Sequence, residues 1–241
     1  MKKLLCLLLA ALSFQISNAQ SANEIIQEYL KATGSKDLWS KVQSLQYSGN
    51  YVMGPGAEAP VKQLFTFKTL HYVSTFSWMG MQSKTVIQGD SGWTFSPFGG
   101  KRTIDPIPTT DIKSYILSAN PNYLLLSYTE RKYNADYLGL DDVEGVETYK
   151  VRIMSPDGDK FYFYFDAKTY YLIKFSYSIK LPTRLVKEAY NYSDFRKSAF
   201  GLVLPFQIQS VDDAGNESGG PIILKSVDVN ATTDSNLFAK P

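Results

Sequence analysis

The chain has 241 residues, with 25 Lys and Arg against 23 Asp and Glu, one histidine and one cysteine. Such balance supplies no basic field for nucleic acid, and one histidine with one cysteine is too little for a zinc site. The unusual quantity is aromatic: 17 Tyr, 14 Phe and 3 Trp, which must be buried against each other or against a ligand.

Lys2-Lys3, the apolar run Leu4 to Ile16 and the small residues Ser17-Asn18-Ala19 read as a secretory signal peptide over 1–19. The run is too short to span a bilayer. Cys6 follows Lys3 too closely for an apolar region to precede a lipidated cysteine. Cleavage after Ala19 removes that cysteine and two lysines, so 23 bases then face 23 acids. The expected product is a periplasmic monomer folded as one domain over 20–241, with neither disulfide nor cofactor.

Ser21 and Glu24 have capping-box spacing, and Ile25, Ile26, Tyr29, Leu30 and Thr33 fall on one helical stripe, with Gly34 as the stop. A short turn at 37–42 brings Trp39 to the same side. From Ser44 the period becomes two, with Leu45, Tyr47, Gly49, Tyr51 and Met53 on one face. Strands are predicted over 61–70, 71–79 and 82–89, then in the segment "SGWTFSPFGG", where Asp90-Ser91-Gly92 reads as the turn. Thr109 to Ser118 reads as a second helix. Further strands follow at 149–153, at "FYFYF" (161–165), at 171–177, and near 185–195, 204–212 and 222–229.

The sum is mainly β: about eleven antiparallel strands in a curved sheet or incomplete barrel. An N-terminal helix and a second short helix serve as its lid.

Chemistry is sparse. His71 is the sole histidine and stands in a strand pattern, with no Gly-x-Ser-x-Gly elbow to suggest an activated serine. Asp141, Asp142, Glu144, Glu147, Asp157 and Asp159 read as turn residues, not as a glycosidase pair or a calcium loop. Lys174, Lys180, Arg184, Lys187, Arg196 and Lys197 read as a solvated face balanced by acids. No metal site and no catalytic group is assigned. The dense feature is Phe65, Phe67, Phe76, Trp78, Met79, Met81, Trp93, Phe95 and Phe98. A solid core and an apolar ligand cavity both satisfy that pattern.

Several stretches in order resemble exported proteins of the outer-membrane lipoprotein-sorting group. They are "GDSGWTFSPFGG", "YLGLDDVEGVETYKVRIMSPDGDKFYFYFDAKTYYLIKF", "YSDFRKSAFGLVLPFQI" and "VDVNATTDSNLFAKP". Phe95-Ser96-Pro97-Phe98 departs from the group's Asn-Pro-Phe form. That group is related in fold to the lipoprotein carrier LolA and the acceptor LolB. The resemblance implies an unclosed β-barrel with a helical lid over a hydrophobic cavity, a lipid or lipoprotein acyl chain as ligand, and a membrane-associated donor or acceptor protein as partner. It makes the nine aromatic and methionine residues the expected lining, in a non-enzymatic protein. An exposed acyl chain costs about 0.8 kcal/mol per CH₂, which is why transit needs a sheath. The competing readings are an interaction module with a solid aromatic core and tyrosines outside, and a hydrolase built on His71.

Overall fold

The computed structural model describes residues 20–240 apart from 101, 213 and 233, so the expected signal peptide and Cys6 lie outside the described residues. The chain enters through α1 (Ala22–Ala32), whose first turn carries the reciprocal cap its sequence predicts. Glu24 N donates to Ser21 Oγ at 3.2 Å, and Ser21 N donates to Glu24 Oε2 at 2.7 Å. These bonds satisfy amides that a helix start otherwise leaves without partners. Ile25, Ile26, Tyr29 and Leu30 form the buried stripe. The short α2 (Lys36–Ser40) then buries Trp39, whose Nε1 donates to Thr33 Oγ1 at 3.0 Å.

Six strands follow: β1 (Ser44–Gly54), β2 (Ala57–Thr66), β3 (His71–Trp78), β4 (Met81–Gln88), β5 (Ser91–Phe95) and β6 (Ile104–Pro106). Two helices come next, α3 (Thr109–Ala119) and α4 (Asn122–Ser127). Seven more strands complete the chain: β7 (Asn134–Val143), β8 (Val146–Met154), β9 (Lys160–Asp166), β10 (Leu172–Lys180), β11 (Leu185–Lys197), β12 (Val203–Val211) and β13 (Ile222–Val229). All thirteen lie in one antiparallel sheet, ordered β6-β5-β4-β3-β2-β1-β13-β12-β11-β10-β9-β8-β7. The sheet is therefore two meanders joined where β13 pairs with β1. Its edges, β6 and β7, do not pair, so the barrel stays open.

Two strands exceed the eleven read from sequence. One is the three-residue β6. The other is β7, an edge strand whose acids and Gly139 blur the alternation. Asp141, Asp142 and Glu147 accordingly stand on β7 and β8 and not in a turn; only Glu144-Gly145 turns the chain, both at positive φ. Lys150 Nζ reaches Asp141 Oδ2 across the strands at 2.7 Å. The β4–β5 turn is Gly89-Asp90, one step earlier than expected, and Gly92 sits inside β5 opposite Ile87. A Cβ on Gly92 would lie 2.8 Å from Val86 O and 3.1 Å from Ile112 Cδ1, so its missing side chain is what admits α3.

One face of the sheet is covered by the helices. Phe161, Phe163, Phe165 and Phe175 point there with no exposed surface, and the Phe163 and Phe175 rings lie 4.9 Å apart. Burying each ring contributes about 1.5–3 kcal/mol, so this half carries much of the apolar stabilisation. On the other half, Leu45 and Tyr47 of β1 stand in register with Phe65 and Gln63 of β2. Tyr72 and Ser74 of β3, then Ile87 and Thr85 of β4, continue those rows.

The seam between the meanders has one tight point. The β1–β13 register shifts at Ser48/Gly49, and a Cβ on Gly49 would meet Ile223 O at 2.2 Å and Leu224 Cα at 2.7 Å. Both obstacles are backbone and cannot swing aside. Gly49→Ala is expected to destabilise the fold by on the order of 2–4 kcal/mol, read as a lower urea midpoint. A midpoint equal to wild type contradicts this account of the seam.

Candidate functional site

Helix α3 leaves the β6 edge and spans both halves of the sheet. Toward the first half it presents Ile112 and Ile116, which pack with Phe65, Tyr72 and Ile87. Toward the second it presents charge. Lys113 Nζ pairs with Asp159, whose side chain is only 7% exposed, and Arg184 Nη2 reaches Asp111 Oδ2 at 2.6 Å. Asp159 also accepts from Lys180 N at 3.1 Å. It stands in the β8–β9 turn, as the sequence predicts, and burial with these two partners also makes it an anchor for the helix. The Arg184 guanidinium holds the Asp111 carboxyl below its ordinary range.

The corner between α3 and α4 is made by Asn120, Pro121 and Asn122. Asn122 N donates to Asn120 Oδ1 at 2.9 Å, which fixes the bend. The two amides then tie it down: Tyr29 Oη of α1 donates to Asn122 Oδ1, and Asn120 Nδ2 donates to Tyr47 Oη of β1 at 3.4 Å. A third tie runs from Tyr128 Oη to Asn23 Oδ1 at 3.1 Å.

Beneath this corner lies a cavity of about 340 Å³ between α1, α3 and the covered face of the sheet. Six tyrosines line it: Tyr29, Tyr47, Tyr72, Tyr115, Tyr190 and Tyr192. Leu172, Val203, Ile208 and Ile222 give it aliphatic walls, and Gln63, Ser74, Thr85 and Ser118 add neutral polar groups. Among the described residues no charged side chain lines it. Desolvation raises the hydroxyls of Tyr29, Tyr47 and Tyr192 far above the ordinary phenol range. They are neutral donors at every physiological pH. A second hollow, of about 370 Å³, opens beyond α3 among Leu70, Ile112, Ile116 and Tyr123, but Asp90, Lys113 and Arg131 share its wall.

The nine residues expected from sequence are not the lining of the tyrosine cavity. Phe65 is buried beside it, 5.1 Å from the Phe67 ring and 5.9 Å from Tyr123. Phe76 shares a face with Ser74 and Tyr72, one pleat further along β3, and its ring lies 5.7 Å from Phe98. Trp78 and Met81 face each other at the end of that hairpin, where Met79 at φ 50° turns the chain and is 79% exposed. Trp93 and Phe95 are in register with Val86 and Lys84, on the opposite face from Tyr72 and Ser74. Lys84 Nζ lies 5.7 Å from the Trp93 ring. His71 is on that outer face too, its ring 5.2 Å from Phe238. The tyrosines that do line the cavity come from five separate elements. The cues available were the parity of Tyr47 on β1, the pair Tyr190 and Tyr192, and the Asn-Pro-Asn corner.

No family model and no curated relative matches the chain. Solved structures do. A DUF1329 family protein from Desulfovibrio piger is 13% identical, with a TM-score of 0.57 over 89% of this chain and 95% of that one. A LolA superfamily protein from Nitrosomonas europaea is 14% identical, with a TM-score of 0.52 over 92% and 99%. A putative outer membrane lipoprotein-sorting protein domain from Vibrio parahaemolyticus is 12% identical, with a TM-score of 0.53 over 90% and 95%. The chain has the LolA-like fold. Among the described residues no helix is long and apolar enough to cross a membrane.

The buried phenols make a testable statement about pH. Their hydroxyl pKa is higher in the folded state than in the unfolded chain, so above about pH 10 the unfolded state loses protons that the native state retains. Stability from this source is complete below pH 10 and falls as pH rises further. The expected result is a Tm that declines steeply above about pH 10, with phenolate absorbance appearing in step with unfolding. Phenolate formation by these tyrosines in the still-folded protein contradicts the burial described.

Proposed function

We propose that this protein is an exported, non-enzymatic carrier or binding protein for a lipid or lipoprotein acyl chain, held in the tyrosine-lined cavity. The carrying observation is the cavity itself: about 340 Å³, uncharged, and roofed by α1 and α3. That volume is at the small end of the ~300–1,000 Å³ typical of ligand pockets, so it suits one chain and not a bundle of several. The LolA-like fold supports the reading, since two of its solved members are described as a LolA superfamily protein and a lipoprotein-sorting domain. In this reading residues 1–19 direct export to the periplasm, and residues 20–241 work as one monomeric domain.

Four of the nine residues expected as lining keep a narrower role. Phe76, Trp78 and Met81 continue the face of Ser74 and Thr85 toward the end of the β3–β4 hairpin. A chain longer than the cavity runs out over them, with exposed Met79 at the rim. Methionine adapts its shape to what it touches, which suits such a rim. The outward pair Trp93 and Phe95 has no part in holding the ligand.

Ser74 offers the cleanest test, because it is half-buried on a strand and its side chain faces the cavity. Ser74→Phe fills the space without introducing charge. The expected result is tight binding of a fluorescent long-chain acyl ester by wild type, an affinity at least about tenfold lower for Ser74→Phe, and a Tm within a few degrees of wild type. Absence of binding by wild type, or equal binding by the filled variant, overturns the proposal.

A further inference from the structure

The cavity has properties that select among lipids. Its lining offers hydrogen-bond donors and no cation. Tyr192 is 8% exposed, and its hydroxyl makes no hydrogen bond among the described residues, although it is not among the fully occluded unpartnered atoms. Tyr47 Oη accepts the 3.4 Å bond from Asn120 and donates none. Beyond desolvation, Tyr47 lies close enough to raise the hydroxyls of both Tyr29 and Tyr192. Two phenol donors are thus unspent on one wall of an uncharged space. A ligand that supplies an acceptor oxygen there makes a direct hydrogen bond worth about 0.5–1.5 kcal/mol net.

The charge nearby has the wrong sign for an anion. Tyr190 lines the cavity and donates its hydroxyl to Glu188, which also accepts from Tyr177 Oη. That carboxylate is exposed to solvent at one end of the lining. An ionised headgroup drawn into this space would lose its water and meet no lysine or arginine in the lining. A neutral ester or hydroxyl headgroup pays neither penalty.

We infer that the cavity takes a neutral, oxygen-headed lipid, an acylglycerol or similar acyl ester, with a carbonyl oxygen on the Tyr47 and Tyr192 hydroxyls, and discriminates against ionised fatty acids. This rests on the carrier reading above and narrows its ligand class. It also separates the cavity from the hollow beyond α3, where Lys113 and Arg131 are present.

Three probes with one chain length test it: monopalmitoylglycerol, methyl palmitate and palmitate, each titrated into the protein at about pH 8, where the free acid is ionised. The first two should bind at least about tenfold more tightly than palmitate. Tyr192→Phe keeps the ring and removes the donor. It should weaken monopalmitoylglycerol by roughly three- to tenfold and leave palmitate unchanged. Palmitate binding as tightly as its methyl ester overturns the inference while leaving the carrier reading intact. Failure of all three to bind overturns both. Loss of stability in Tyr192→Phe would move all three ligands together, so a selective loss identifies the hydroxyl.

Discussion

The structure depends on one topological constraint: β6 and β7, consecutive in sequence apart from the helices, are opposite edges of a thirteen-stranded sheet. The chain between them must cross from one edge to the other, and it does so over a face of the sheet. Two energies hold that crossing in place and they are unequal. Burial of Ile112 and Ile116 contributes about 1.5–3 kcal/mol each. The Arg184–Asp111 pair, with the arginine half exposed, contributes no more than about 1 kcal/mol. The Lys113–Asp159 pair differs because Asp159 is buried; removing its partner would strand a charge at a cost of about 3–5 kcal/mol. Apolar packing therefore seats the helix, and the ion pairs choose its orientation and register.

The cavity follows from how the crossing ends. Asn120 and Asn122 bend the chain and spend their amides on Tyr47 and Tyr29, so the corner is held off the sheet by hydrogen bonds instead of being packed onto it. Phenylalanine at these positions would leave buried amides unpaired, and shorter side chains would let the corner collapse. Tyrosine gives reach, an apolar wall and a neutral donor together. On the far side of the covered face, where no amide corner intervenes, the four phenylalanines of β9 and β10 pack solidly. The molecule thus has both features that its aromatic content allowed: a cavity across the seam of the two meanders, and a solid core over β9 and β10.

Much of this was legible in the sequence. The Ser21–Glu24 box, the stripe on α1 and the alternation of "FYFYF" are local signals, and their outcome is decided within a few residues. The open, mainly β fold was legible too, from the meander and from the resemblance to lipoprotein-sorting proteins. What was not legible is non-local. Strand β7 hides its period behind the acids an edge strand needs. Asp159 stands in a turn-like "SPDGDK" and acquires its meaning only from Lys113, 46 positions earlier. The density of aromatic residues over 65–98 marked a region correctly as apolar, but density does not say which face a side chain takes. The strand register sends Trp93 and Phe95 outward while the scattered tyrosines, never dense anywhere, converge.

In the proposed function, a ligand sits between the Asn-Pro-Asn corner and the sheet, against tyrosine rings. Isotope-filtered nuclear Overhauser spectra of the protein with bound monopalmitoylglycerol measure this directly. Cross-peaks are expected from the glycerol and first acyl protons to the rings of Tyr47 and Tyr192, and from the chain to Ile208 and Ile222. Cross-peaks confined to Trp93, Phe95 or other outward-facing residues, with none to the cavity tyrosines, would contradict it.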